Sequence, residues 1–323
     1  MSTSEPQADR SVHVDLLDIP FDFLEQWSAM DPHRLRLLLE LSRRGSMRAV
    51  ADELGYTTST VSQQLAVLAR EAGATLIEPE GRRVRLTPAG RRLADHAVTI
   101  LAALEAARTD LDPDGEPAGT VRVAGFETAV RRSLVPVLAQ LGAEHPAVRL
   151  RIHEHEPAEA FELLATDEVD LALVYDYTLA PVALDPALRV TPLWSAAWEL
   201  GVPAADDAMR GDAPAVFRKY AEAGWIVNSR NVADEQVVRT IASLAGFEPR
   251  IAHRVDSLEL VQELIVAGLG VALLPADSRL LAGVRLIALR HPEAVLRSYA
   301  VTRRGRESWA PLRLVTRLLA ASV

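Results

Sequence analysis

The stretch from Gly45 to Leu68 constrains the fold of this chain more than any other, because it has the pattern of two short helices joined by a tight turn. Ser46 can cap the first helix, and Gly55 can supply the positive φ that such a turn often needs. The second helix predicts one buried face, since apolar residues recur at helical spacing. These residues are Val61, Leu65 and Leu68. The stretch therefore predicts a helix-turn-helix.

Short polar side chains remain exposed at the start of the second predicted helix. Such groups can hydrogen-bond to base edges and phosphates without a large charged side chain. The candidate DNA contacts are Thr57, Thr58, Ser59, Thr60, Ser62 and Gln63. Any capped surface helix has a similar pattern, so the stretch taken alone leaves both interpretations open.

The charge distribution favours the DNA interpretation. The whole chain carries a net charge of −9, but residues 31–92 hold 11 Arg against 7 Asp and Glu, a balance of +4. A locally basic segment on an acidic chain is typical of a nucleic-acid-binding module joined to a domain with another task. A solvated charged surface remains the alternative for any single Arg.

Length and composition indicate a cytoplasmic protein of more than one domain. A chain of 323 residues predicts roughly two or three domains. It has no cysteine, which excludes disulfides and thiolate chemistry. No secretory pattern opens the chain and no stretch approaches the ~20 apolar residues of a membrane helix, so no membrane partner is expected.

Residues 1–30 read as an N-terminal extension. The segment from Met30 to Leu35 itself resembles a protein start, with Asp31 as a helix cap and Pro32 at the first helical position. Translation from Met30 is one hypothesis, and an extension that DNA binding does not need is the other.

A winged DNA-binding domain is expected over residues 31–88. A first helix from about Pro32 to Arg44 completes a three-helix core. Residues 78–86 predict a small β-hairpin with a turn at Pro79–Gly81, in which Val84 and Leu86 lie on one side. The other side and the tip carry the candidate phosphate contacts of this wing. These are Arg82, Arg83 and Arg85.

A long linker helix is expected over residues 89–111, with Thr87 as its cap. Apolar residues follow spacings of four and three along it and predict a seam that pairs with a second subunit. They are Leu93, Ala97, Ile100, Leu104, Ala107 and Leu111. Burial of this face against the chain's own wing is the alternative.

Residues 112–119, rich in Pro, Gly and acids, read as a hinge, and beyond them strands and helices alternate. That order predicts a parallel α/β sheet with right-handed crossovers. Two short strands are expected at 189–193 and 198–202. The chain is expected to form two lobes with a ligand cleft between them, lobe I from residues 120–178 and 272–323 and lobe II from residues 179–271.

Ligands of open α/β sheets bind beyond the carboxyl ends of the strands. The candidate effector contacts at these ends are Glu127, Thr128, Tyr175, Asp176, Asn228 and Ser229. Thr128 at a helix start would favour an anion, whereas Glu127 and Asp176 would favour a cation, and the sequence leaves this open. The run His153–Glu156 suggests a metal, but Arg149 and Arg151 on the same face disfavour one. No metal and no cofactor are expected.

The chain resembles the LysR-type transcriptional regulators from Leu35 through the hinge to nearly its end. In the first part the resemblance rests on Gly45–Ser46, Ala51, Leu54, Thr57, Val61–Leu65, Leu68, Leu76, Gly81–Arg83 and Leu86–Gly90. In the second part it rests on Val169–Ala172 and Ala267–Pro275. So many matches in order are far more specific than any one motif.

The resemblance implies a winged helix-turn-helix, a dimerising linker helix and a two-lobed effector domain like a periplasmic binding protein. It also implies homodimers or homotetramers that bind and bend double-stranded promoter DNA and shift contact with RNA polymerase when a small-molecule effector binds. The chain departs from the family at Met47, where an aromatic is usual, and at Thr58 and Ser59, where Gln and Pro are common. In the wing, Ile77 and Pro79 replace a Phe and an Arg.

Two other function classes fit the sequence less well. An enzyme is not expected, because the sequence has no nucleophile elbow, phosphate loop or dinucleotide fingerprint, and Gly268–Gly270 alone is too weak a motif. The alternative to a regulator is a cytoplasmic solute-binding or ligand-sensing protein without sequence-specific DNA binding. The locally basic segment of residues 31–92 disfavours that alternative.

Overall fold

The computed structural model describes residues 30–80, 83–111, 116–206 and 211–321, without the side chains of residues 83, 109 and 110. The predictions for residues 1–29, for Arg82 and for the hinge from 112 to 115 fall outside these residues. The chain divides into two compact units, residues 1–101 and 102–323. No helix in the described ranges is both long and apolar enough to cross a membrane.

Three helices form the first unit's core, namely α1 (Pro32–Arg44), α2 (Met47–Leu54) and α3 (Thr58–Glu71). Each begins at a side-chain cap, at Asp31, Ser46 and Thr57 respectively. Gly45 and Gly55 end the first two helices with φ of 62° and 71°. Each turn therefore uses a conformation that glycine adopts without strain.

The apolar faces of these helices meet as predicted. Val61, Leu65 and Leu68 of α3 are fully buried, and Leu35 and Leu38 of α1 pack with them. Because the core takes one face of α3, its polar face is left to solvent.

The wing is an antiparallel hairpin of β1 (Ile77–Glu80) and β2 (Arg83–Leu86). Pro79 pairs with Val84 inside this ladder, so the prediction that Pro79 begins the turn is wrong. A two-stranded hairpin has only edge strands, where a proline can keep its nitrogen away from the ladder. Leu86 is buried against the helices, which confirms the predicted inward face of β2.

Helix α4 (Pro88–Leu111) begins directly after the wing. The Thr87 hydroxyl accepts a hydrogen bond from Gly90 N at 3.0 Å, so Thr87 is the cap that the sequence predicts. Leu93 and Ala97 are buried in the core of the first unit, whereas Ile100, Leu104 and Leu111 are exposed. The first part of the predicted seam is therefore buried within the first unit, and its second part is exposed to solvent.

The second unit is built on one mixed sheet of nine strands. The strands are β3 (Gly119–Gly125), β4 (Val148–Glu154), β5 (Leu171–Tyr177), β6 (Leu188–Pro203), β7 (Gly224–Val227), β8 (Arg250–Arg254), β9 (Val271–Pro275), β10 (Val284–Ile287) and β11 (Ala294–Arg303). Their order is β4-β3-β5-β11-β6-β9-β7-β8, and β10 pairs with β6.

Helices connect and cover these strands. They are α5 (Glu127–Ala129), α6 (Val135–Glu144), α7 (Pro157–Ala165), α8 (Ala213–Lys219), α9 (Ala233–Ala245), α10 (Leu258–Val266) and α11 (Ala310–Ala321). A π-helical turn, Val130–Leu134, joins α5 to α6, and a 3-10 turn, Arg306–Ser308, precedes α11.

The sheet contains two groups of strands, and within each group the strands run parallel, as the alternating pattern predicts. The first half contains β3, β4 and β5, and the second half contains β7, β8 and β9. The long strands β6 and β11 run antiparallel between the halves. The two strands expected at 189–193 and 198–202 are one continuous strand of 16 residues, which corrects that prediction. Its neighbours β11 and β9 hold successive parts of it in one ladder.

Candidate functional site

The exposed face of α3 carries most of the candidate DNA contacts. Thr58, Ser59, Ser62 and Gln63 are exposed, whereas Thr60 is half-buried. Thr57 is occupied as the helix cap, because its hydroxyl accepts a hydrogen bond from Thr60 N at 3.1 Å. Its oxygen also lies 2.8 Å from the hydroxyls of Ser59 and Thr60. The face is therefore a preordered set of short polar groups.

The two adjacent glutamines have different environments. The Gln64 side-chain oxygen accepts a hydrogen bond from Arg34 Nε at 2.9 Å, and Arg34 also pairs with Glu71. Gln64 is half-buried and ties α3 to α1, whereas Gln63 is exposed on the outer face. This separates a structural glutamine from a candidate reader of bases.

The wing's positive charge is partly neutralised within the hairpin. Arg85 Nε donates to Glu78 Oε1 at 2.7 Å, and its Nη1 lies 3.8 Å from Glu80 Oε1. Both acids lie on β1, opposite the arginines of β2. Arg83 is the first residue of β2. Its side chain and the whole of Arg82 lie outside the described residues, so the predictions for these two contacts stay predictions.

A cleft in the second unit opens at the carboxyl ends of β5 and β7. The empty space of the cleft, together with the open solvent at its mouth, amounts to about 350 Å³. Tyr175, Tyr177 and Trp198 line one side, and Asn228, Asp234 and Asp256 contribute polar groups. The cleft therefore lies where ligands of α/β sheets bind, and it brings together Tyr175 and Asn228 from the predicted set.

Tyr175 belongs to a hydrogen-bonded group at the edge of this cleft. Its hydroxyl donates to Glu156 Oε2 at 2.9 Å and accepts from Asn231 Nδ2 at 2.9 Å. Burial, together with the neighbouring Glu156 carboxylate, raises the pKa of Tyr175 well above its usual value. The hydroxyl therefore stays protonated and donates to Glu156.

Two carboxyl groups beside the cleft are harder to ionise than usual. Burial raises the pKa of Glu156, although hydrogen bonds from Tyr175 and Asn231 act in the opposite direction. Burial raises the pKa of Asp234 to about 6, against hydrogen bonds from the backbone of Asn228 and Glu235. Both groups would gain from a positive charge placed nearby.

Arg230 bridges the two halves of the sheet across the edge of the cleft. From the loop after β7, its Nε donates to Asp256 Oδ2 at 2.9 Å. Its Nη2 donates to Glu154 Oε1 at 2.8 Å, and its Nη1 lies 3.6 Å from Glu159 Oε2. Since Glu154 and Glu159 lie on and after β4, one guanidinium connects the first half to the second.

Asp176 lies outside this cleft. Arg297 holds its carboxylate with two hydrogen bonds of 2.8 and 2.6 Å, and the Tyr299 hydroxyl donates to it at 3.2 Å. Successive side chains of a strand point to opposite faces, so Asp176 is turned away from Tyr175 and Tyr177. The structure does not bring Asp176 together with the other predicted effector contacts.

Three other predicted residues do not line the cleft. Glu127 pairs with Arg131 at the start of the helical run after β3, and Thr128 beside it is half-buried. Ser229 donates through its hydroxyl to Asp256 Oδ2 at 2.7 Å. Ser229 thereby positions a lining carboxylate and is itself exposed.

The histidine pair does not gather other metal ligands. The rings of His153 and His155 stack at 6.4 Å, and His155 Nδ1 lies 3.2 Å from Glu159 Oε2. Within the described ranges, no group of three or more His, Asp or Glu side chains is arranged to hold a metal ion.

Comparisons with known proteins match both units to one family. Residues 32–91 match the model of the bacterial regulatory helix-turn-helix protein, lysR family. Residues 114–323 match the model of the LysR substrate binding domain. The chain belongs to the LysR family. This LysR-family protein is a transcriptional regulator with a helix-turn-helix DNA-binding domain and an effector-binding domain, which decides against a solute-binding protein without DNA binding.

Individual relatives agree with this assignment. The transcriptional dual regulator GltC of Bacillus subtilis is 28% identical over 257 residues, which cover 77% of this chain and 82% of GltC. Full-length OxyR from Pseudomonas aeruginosa has a TM-score of 0.69 at 20% identity, with 91% of this chain and 94% of OxyR covered. Full-length CbnR complexed with its target DNA has a TM-score of 0.52 at 19% identity, covering 91% and 100%. The two structural likenesses show the shared fold.

Several cleft residues of this LysR-family regulator were not among the predicted contacts. Asp256 lies two residues after the end of β8, so the strand-end rule that pointed to Tyr175 applies to it as well. Tyr177 lies at a strand end that the sequence already indicated as a ligand position, and the alternation of β5 groups it with Tyr175 and places Asp176 on the opposite face. Trp198 lies within a strand and Arg230 acts across the sheet, and no local sequence pattern marks either one.

Proposed function

We propose that this LysR-family regulator recognises promoter DNA through the exposed face of α3. The observation that carries the proposal is the division of that helix, whose apolar face is fully buried while its polar face is open to solvent. The proposed contacts on the helix are Thr57, Thr58, Ser59, Thr60, Ser62 and Gln63. Arg82, Arg83 and Arg85 of the wing are proposed to contact phosphates, although Glu78 and Glu80 weaken the pull of Arg85.

Gln63→Ala tests this proposal on the chain's own upstream DNA. An amide that reads a base edge discriminates by about 1–3 kcal/mol, so specific affinity should fall roughly tenfold or more while non-specific affinity stays unchanged. Footprinting and titration at one salt concentration would measure both. Gln140→Ala, an exposed glutamine of α6, is the matched control. Equal loss on specific and random DNA would remove the base-reading role.

The proposed effector site is the cleft between the two halves of the sheet, with Tyr175 and Asn228 in its lining. Ser229 is proposed to support it through Asp256. Glu127 and Thr128 are kept as contacts that a larger effector would reach at the end of β3. Binding there is proposed to alter promoter binding or DNA bending, because a ligand can shift a two-lobed domain by binding one arrangement more tightly.

We further propose an assembly in which α4 pairs with its copy, giving a homodimer or homotetramer that contacts RNA polymerase. The exposed Ile100, Leu104 and Leu111 support pairing along the second part of the seam. A second recognition helix would supply the second half-site that such readers use.

The proposed organisation follows from these roles. Residues 31–88 form the DNA-binding domain, 89–111 the linker helix, 112–119 the hinge and 120–323 the effector domain. Within the effector domain, residues 120–178 and 272–323 are proposed as lobe I and residues 179–271 as lobe II. In the sheet, β9 pairs with β7 through Val271 and Ala272. We also propose that the regulator has no enzymatic activity and acts in the cytoplasm, where it meets promoters. Its named relative GltC is a regulator.

A further inference from the structure

We infer that the effector of this cleft is a cation, an organic amine with an apolar group beside its charged nitrogen, and that the cleft discriminates against carboxylates and phosphates. This inference rests on the proposed function, since it assigns a chemical class to the ligand of the same cleft. Three independent features support it: the aromatic wall, the charge of the lining and the pairing of Arg230.

The aromatic wall is suited to the apolar part of such a ligand and to its charge. Tyr177 lies edge-on to Trp198 with ring centroids 5.6 Å apart, and edge-on to Tyr175 at 5.8 Å. Three aromatic rings therefore contact one another at one side of the cleft. Aromatic faces attract ammonium groups, and the attraction strengthens where water is excluded.

The charge of the lining is negative. Asp234 and Asp256 both line the cleft, and Glu156 lies directly behind the Tyr175 hydroxyl. Among the described residues that line the cleft there is no Arg, Lys or His. A carboxylate or phosphate ligand would meet two acids without a basic partner, whereas an amine would meet two acceptors.

Arg230 is nearby but its charge is already matched. Asp256, Glu154 and Glu159 surround its guanidinium at 2.9, 2.8 and 3.6 Å. Arg254, the last residue of β8, is paired with Glu235 at 2.6 Å. Neither arginine offers the open fork that binds an anion.

Asp234 is the carboxylate that a cation would help most. Its oxygens accept hydrogen bonds from Asn228 N at 2.6 Å and Glu235 N at 2.9 Å, both neutral backbone donors. Burial makes its ionised form costly, as the raised pKa of about 6 indicates. An ammonium in the cleft would supply the missing countercharge, and Asp234, Asp256 and Asn228, which all line the cleft, offer acceptors for its N–H groups.

The charge preference can be measured with three probes of one shape: phenethylamine, 2-phenylethanol and 3-phenylpropionate. Each is titrated calorimetrically into the full-length regulator at neutral pH. The amine should bind at least about tenfold more tightly than the alcohol, because a charged hydrogen bond is worth about 1.5–3 kcal/mol. The carboxylate should bind more weakly than the alcohol. Equal binding of amine and alcohol, or tighter binding of the carboxylate, would overturn the inference.

Variants locate the effect in the cleft. Asp234→Asn and Asp256→Asn should each weaken phenethylamine binding about tenfold and leave 2-phenylethanol binding unchanged. Glu222→Gln removes one exposed carboxylate from the same half of the sheet and should change neither. If Asp256→Asn disturbs the fold through Arg230, Asp234→Asn and the wild-type probe series still decide the question. Footprinting on the upstream DNA tests the proposed function separately. Specific protection of the DNA without selectivity for the amine would contradict only the proposed ligand class. Absence of specific protection would contradict the proposed recognition of promoter DNA.

Discussion

Gly90 shows how a single residue positions a whole helix. A Cβ built at this position would lie 2.0 Å from the carbonyl oxygen of Leu76. Beside it, Thr87 N donates to the same carbonyl at 3.0 Å, so the first turn of α4 packs directly on the backbone just before β1. Backbone atoms cannot rotate away from such a clash, and the close approach therefore depends on glycine.

Gly90→Ala should destabilise the first unit by about 3 kcal/mol through overpacking against backbone. Gly142→Ala in α6 is the matched control, because a Cβ there meets no atom within 4 Å. That control should stabilise the second unit by about 0.5–1 kcal/mol, since alanine restricts the unfolded chain more than glycine. Hydrogen exchange followed by mass spectrometry resolves the two units. Similar protection of the first unit in Gly90→Ala and wild type would show that the contact is not tight.

The raised pKa of Asp234 should make the free energy of unfolding fall as pH rises, whereas an ion-paired carboxylate makes it increase. Its pKa rises from 3.8 to about 6 on folding, so the native state holds its proton more tightly than the unfolded state. The stability contributed by this proton is present below the unfolded pKa and is lost as pH rises through about 6. The titratable groups that interact electrostatically with Asp234 are Glu156, Tyr175 and Tyr177.

Asp234→Asn should therefore gain stability relative to wild type as pH rises from about 4 to about 6, with a flat difference above about 7. Urea unfolding followed by tryptophan fluorescence measures it, because Trp194, Trp198, Trp225 and Trp309 all lie in the second unit. Asp212→Asn is the control, because the exposed Asp212 carboxylate at the start of α8 also accepts a hydrogen bond from a backbone N–H group. A difference between variant and wild type that does not change with pH would contradict a buried, unpaired Asp234.

At the scale of elements, α4 serves two purposes along its length. Its first turns close the core of the DNA-binding unit through Leu93 and Ala97. Further along, Ile100, Leu104 and Leu111 stay exposed on a helix that ends at Leu111. The first part of the heptad pattern is therefore buried in its own unit, and the exposed second part is left for the proposed subunit pairing.

Leu104→Glu should weaken subunit pairing, because a charge placed at an apolar seam position must be desolvated without a partner. Sedimentation of wild type and variant over a range of concentrations would show the dimer dissociating at higher concentration in the variant. Thr99→Glu adds the same charge at an exposed position off the seam and should leave the assembly unchanged. An unaltered assembly in Leu104→Glu would place the subunit contact elsewhere.

At the scale of the whole molecule, each unit joins parts of the sequence that are far apart. In the first unit, Arg34 connects α1 to α3 through Gln64 and Glu71. In the second, Arg230 connects the loop after β7 to β4 and α7, and Asn231 reaches Tyr175. These bridges link the two halves of the sheet beside the cleft.

The sequence by itself determined the helix-turn-helix, the wing, the linker helix and the α/β order, because periodic apolar residues, caps and glycines act locally over a few residues. It also pointed to Tyr175 and Asn228, since strand ends mark ligand sites. Tertiary structure alone decided that Gln64 supports the fold while Gln63 stays exposed, that Asp176 binds Arg297, and that Asp234, Asp256 and Trp198 share one cleft. Those outcomes depend on contacts between strands and helices that are distant in the chain. A local sequence pattern does not determine which distant residue a charged side chain will contact.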